Sequence, residues 1–151
     1  MFLLVIALVT SACGGEGGGG ADETTTIATT ETVDETALQE RALEVEQAIQ
    51  TGFREIETAA TTDEMAEAVD DLQASLVELA LALDRTEAPA DKTQQKQALA
   101  GMLRELDLGL ADVDATVSQV PDAETARQSD ALGRLAQLRH EIEVLAQDIQ
   151  S

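Results

Sequence analysis

Residues 61–83 read TTDEMAEAVDDLQASLVELALAL, and their spacing decides the fold. Met65, Val69, Leu72, Leu76, Leu79 and Leu83 recur at alternating intervals of four and three, which lines one face of an α-helix. A strand would alternate with period two, and this stretch does not. Its start is punctuated as well. Thr61 followed by Glu64 matches a capping box, in which the Thr hydroxyl and the Glu carboxylate each satisfy a backbone N–H at the start of a helix. From Leu76 to Leu83 only Glu78 is charged, so Val77 and Leu81 form a second apolar strip beside the seam.

The same spacing recurs on either side. Leu38, Val45, Ile49 and Ile56 carry an earlier stripe, Leu99, Leu103, Leu106 and Leu110 a third, and Leu132, Leu135, Leu138, Ile142, Leu145 and Ile149 a fourth. Continued in heptads, the first stripe would reach Asp63 and Ala66, out of phase with Met65 and Val69, so the chain must break at Thr61. Pro89 with Asp91 and Pro121 with Asp122 mark the next two starts, because Pro is accepted in a first helical turn and Asp accepts from its free N–H groups. Helices are expected at 34–60, 62–86, 90–119 and 122–150. Short connections make neighbours antiparallel, so the fold class is all-α, an up-down-up-down four-helix bundle after a disordered tether. A long helical hairpin that completes its core by dimerising is the alternative. Gly52, Gly101, Gly109 and Gly133 fall inside these helices, each costing about 1 kcal/mol against Ala, and mark close helix contacts or mild bends.

Composition bounds the chemistry. With Lys+Arg 9 against Asp+Glu 30 the chain of 151 residues carries a net charge of -21, which repels a phosphate backbone and excludes nucleic acid as a partner. Phe2 and Phe53 are the only aromatic residues, so the chain lacks platforms for stacking sugars or bases. The single histidine, His140, sits off the seam near Glu143 and has Gln137 three residues before it, which departs from the Glu-x-x-His pair of a di-iron bundle. Close carboxylates such as Glu64 with Glu67, or Asp112 with Asp114, follow from acidic density alone. The sequence assembles no nucleophile elbow, phosphate loop, zinc spacing or calcium loop, and the expectation is a protein that is not an enzyme, without metal site or cofactor. The acidity also suits a saline habitat, where few lysines and many carboxylates keep a surface hydrated.

The first residues give the location. Phe2 to Val9 form an apolar run well short of the roughly 20 residues that span a bilayer, followed by small residues and the only cysteine, Cys13. Thr10-Ser11-Ala12-Cys13 resembles the bacterial lipobox, in which a cysteine behind small residues is lipidated and becomes the N-terminus after cleavage. The resemblance covers the first thirteen residues and implies a signal peptide at 1–12, a lipid anchor at Cys13 and a place on the extracytoplasmic face of the cell membrane. No Lys or Arg precedes the apolar run, which is what a start codon placed too far downstream would leave. Cleavage by ordinary signal peptidase is the rival reading and would release a soluble protein with a free thiol. Residues 13–33, rich in Gly, Thr and acid, bury too little to offset their ordering entropy and read as a flexible linker before a helical domain at 34–151.

One feature stands above this background. Counting from the turns puts Leu43, Val77, Leu81, Ala98 and Val144 at about one level, near the tethered end. This surplus is either a locally wider core layer or a groove for a partner helix or apolar ligand, with Leu43, Val77, Leu81 and Val144 as its surface. The function expected is a membrane-anchored module for interaction with an envelope protein, or a structural element of the envelope. The alternative is a helical module that binds a small ligand or cation.

Overall fold

The computed structural model describes the backbone of residues 25–151 and the side chains from residue 35 onward. The apolar leader, Cys13 and the start of the linker lie outside the described residues. Among the described residues five helices follow one another: α1 (Thr25–Thr58), α2 (Thr62–Arg85), α3 (Thr93–Val117), the short α4 (Ala123–Arg127) and α5 (Asp130–Gln150). The described residues contain no strand. Helix α1 packs on α2 and α5, and α3 packs on α2 and α5, so the four long helices close a ring with α1 and α3 on one diagonal. The chain thus forms the all-α up-down-up-down bundle within one molecule, and a hairpin awaiting a second copy is not needed.

The core is apolar throughout. Leu38, Ile49 and Ile56 of α1, Met65, Leu76 and Leu83 of α2, Leu99, Leu103 and Leu106 of α3, and Ile142 and Ile149 of α5 are fully buried, and no polar or charged residue is buried among the described residues. Burying one Leu or Ile side chain contributes about 2 kcal/mol, which supplies what isolated helices of this length lack in water. Gly52 and Gly109 mark close approaches. A Cβ on Gly52 would lie 2.7 Å from Cδ1 of Leu72 in α2, and one on Gly109 would run into Leu135 of α5. Gly101 and Gly133 face open space, so of the four helical glycines only two serve packing.

Helix α1 starts at Thr25 rather than at 34, inside the stretch expected to be linker. Threonine is a mediocre helix former. Once Leu38 to Ile56 have packed, however, each residue added at the N-terminus needs only propagation and no new nucleation. The start of α2 follows its sequence signal: Thr61 Oγ1 accepts from Glu64 N at 3.2 Å, and the Glu64 carboxylate accepts from Ala60 N at 2.7 Å, one residue before the cap. Helix α3 starts at Thr93, later than the 90 expected, because Pro89 O first takes the Lys92 N–H at 3.0 Å and the Thr93 hydroxyl at 3.0 Å in a tight turn.

The fourth segment is corrected most. A continuous helix at 122–150 is replaced by α4 and α5 with a break at Gln128 and Ser129. Asp122 caps α4, as expected, by accepting from Thr125 N at 2.8 Å. Ser129 then caps α5 through Leu132 N at 3.4 Å. Phase explains the break. Ala123 and Ala126 are buried in α4, and α5 buries Ala131 and Leu135, whereas an unbroken helix continuing from Ala123 and Ala126 would turn Asp130 and Gly133 inward. The seam of α5 runs through Ala131, Leu135, Ile142, Ala146 and Ile149, with Leu132, Leu138 and Leu145 only partly buried on its flanks.

Candidate functional site

The apolar surplus does not form a core layer. Leu43, Val77, Leu81 and Val144 are 43%, 48%, 48% and 47% exposed, and Ala98 is exposed too. Nor does it form one groove. Gln73 of α2 donates to Asp107 O of α3 at 3.1 Å, and Val77 and Leu81 follow one and two turns later on that side of the bundle. Glu46 of α1 accepts from Gln147 and Gln150 of α5 at 3.1 and 3.2 Å, which puts Leu43, three residues earlier, on the α1/α5 side. Val144 precedes Gln147 by three, and because the helices are antiparallel it diverges from Leu43 along the axis. The two sets occupy opposite faces. Leu108, 71% exposed, belongs to neither set: two residues from both Leu106 and Leu110, it lies on the far side of α3 from the seam.

The arginines sort the seams between helices. Arg104 pairs with Asp84 across α2/α3, Arg134 with Asp112 at 3.9 Å across α3/α5, and Arg139 with Glu57 at 3.1 Å across α1/α5. The α1/α2 seam has no such arginine bridge between helices: Arg41, which lines it, pairs with Glu44 of its own helix, and Glu55, Glu64, Glu67 and Asp71 surround an open concavity of about 360 Å³ near its turn. Such a surface collects cations diffusely. No group of three or more His, Cys, Asp or Glu among the described residues is placed to hold a metal ion. His140 is exposed, and Glu143, its neighbour one turn on, accepts from Arg139 Nε at 3.0 Å.

A second concavity, of about 300 Å³, opens where α1 meets α4 and α5. Phe53 and Glu57 form one wall, Leu132 and Gly133 the other, and Arg127 and Arg139 converge from α4 and α5. The guanidinium carbon of Arg139 lies 5.0 Å from the centroid of the buried Phe53 ring, while Glu57 and Glu143 hold its nitrogens. Arg127 Nη1 donates to Ala59 O at 2.8 Å and Glu57 O at 3.4 Å, satisfying carbonyls at the end of α1, and its Nε and Nη2 donate to Glu124. The sequence reading passed over this cluster. Phe53 was a lone aromatic beside the seam, and the chain separation of Arg127, Arg139 and Glu57 hides their meeting.

No family model, curated protein or solved structure matches the chain. No helix among the described residues is long and apolar enough to cross a membrane. The arrangement consists of an apolar interior, arginines fastening helices to one another, and a cleft where the partly exposed guanidinium groups of Arg127 and Arg139 meet beside the buried Phe53 ring.

Proposed function

We propose that the chain is an extracytoplasmic lipoprotein, held to the cell membrane through Cys13, in which the helical bundle acts without catalysis as a protein-interaction or structural module of the envelope. The observation that carries this reading is Thr10-Ser11-Ala12-Cys13 directly behind the apolar run Phe2–Val9. The bundle supports it in two ways. Its interior is built from apolar side chains, and the polar side chains singled out in its seams fasten helix to helix. A lone cysteine outside the cytosol has no partner within its own chain, so lipid attachment also accounts for its presence.

Fractionation tests the reading. The full chain, expressed with its own leader in a bacterium that processes lipoproteins, is expected in the membrane fraction and in the detergent-rich phase on phase separation. The Cys13→Ser variant is expected to leave that phase. Equal partitioning of the two chains would contradict lipid anchoring, and recovery of uncut wild-type chain from the cytosol would remove the whole reading.

A further inference from the structure

We infer that the outer face of α2 pairs, antiparallel, with the same face of a second copy of this chain. This deepens the interaction reading above by naming the partner, and rests on it for the role of the pair but not on the lipid at Cys13. Val77 and Leu81, each 48% exposed, are the two exposed large apolar side chains that lie one turn apart on one helix. Asp70, Ala74, Val77, Leu81 and Arg85 are all exposed, and their intervals of four, three, four and four keep them in one row, outside the buried row of Met65, Val69, Leu72, Leu76 and Leu83. Helix α2 therefore carries two rows. One closes the bundle; the other repeats near-heptad spacing and is left open to a further helix.

Charge selects the second copy. The row begins with Asp70 and ends with Arg85, and neither is in an ion pair among the described residues, whereas Arg41, Arg104, Arg127, Arg134 and Arg139 all are. Laid antiparallel about a two-fold axis beside Val77, Ala74 meets Leu81 of the second copy and Asp70 meets its Arg85, and symmetry makes each contact twice. A parallel pairing would set Asp70 on Asp70 and Arg85 on Arg85. A purely cationic partner would be opposed by Arg85, and a purely anionic one by Asp70 and its neighbour Asp71; the α2 row itself carries both charges in the order that antiparallel contact needs. Arg104, at the α3 margin, is already engaged by Asp84 and adds no free charge. The cost lies at the axis, where Glu78 approaches its own counterpart, and at long range, where two chains of net charge -21 repel. Two half-exposed aliphatic side chains and one alanine per copy make a small interface, so the pair is weak and reversible.

The test uses the full chain carrying Cys13→Ser, which is free of lipid, in sedimentation equilibrium at about 0.15 M NaCl, where screening over about 8 Å leaves charge pairs in contact. The expected result is a reversible monomer–dimer equilibrium with a Kd on the order of 0.1 mM. Leu81→Ser is expected to weaken it at least about tenfold with an unchanged circular dichroism spectrum, since the loss counts once per copy. Asp70→Arg is expected to weaken it about fivefold although it lowers the net repulsion, so the loss reports local pairing. Combining Asp70→Arg with Arg85→Asp restores the pair to within about twofold, and Glu78→Gln tightens it. Association through any other surface would not follow this pattern. A chain that stays monomeric up to about 1 mM, a dimer indifferent to Leu81→Ser, or one that the double exchange fails to restore overturns the proposal. Failure of lipid attachment would leave these measurements unchanged and appear only in fractionation.

Discussion

Gly52 and Gly133 are both helical glycines and differ in what surrounds them. At Gly52 a methyl group would press on Leu72, so Gly52→Ala is expected to cost about 1–3 kcal/mol by overpacking despite its better helix propensity. At Gly133 the space is open and Gly133→Ala is expected to stabilise by up to about 1 kcal/mol. Urea unfolding of both variants checks the pair; equal shifts would show that α1 and α2 do not approach closely at Gly52. A second contrast uses adjacent residues. Leu76 is buried and Val77 is half exposed, so Leu76→Ala is expected to cost about 2–5 kcal/mol, whereas Val77→Ser together with Leu81→Ser stays within about 1 kcal/mol. A severe loss in the double variant would return Val77 and Leu81 to the core.

At the scale of elements, α4 is the segment most exposed to acid. The N–H of Thr125, followed by its hydroxyl, holds the Asp122 carboxyl below its ordinary value, and the side-chain amide of Gln128, followed by Arg127, does the same for Glu124. Carboxyls lowered in the folded state contribute stability above their unfolded pKa, and that contribution is lost as pH falls through the folded value. Hydrogen exchange at the Thr125 amide is therefore expected to accelerate, beyond its intrinsic pH dependence, below about pH 4, and Asp122→Asn to remove part of that effect. Protection unchanged down to about pH 3 would contradict the capping role. The α1/α2 boundary was legible because Thr61 and Glu64 signal it and the seam changes phase there. The α4/α5 break was not, because Leu132, Leu135 and Leu138 suggest one continuous stripe while Ala123, Ala126 and Ala131, which set the phase, are small. Ser129 followed by Asp130 was the available signal for a new N-cap. The Phe53–Arg139 cleft was illegible for a different reason: spacing along a chain shows which residues share a helix face, and says little about which faces meet.

For the whole molecule, a net charge of -21 means that folding gathers carboxylates against their mutual repulsion, offset at three seams by arginine. Screening relieves that repulsion, so the melting temperature is expected to rise as NaCl goes from about 0.05 M to about 1 M. A flat response would mean that the acidity is solvated surface without cost to the fold. In the function proposed above the bundle is held at a membrane, and that proposal depends on the chemistry at Cys13. The most direct measurement is the intact mass of the mature protein taken from membranes of the expressing bacterium. The expected mass corresponds to a chain beginning at Cys13 and carrying a diacylglyceryl group; a chain that retains residues 1–12, or begins at Cys13 with a free thiol, would contradict the account.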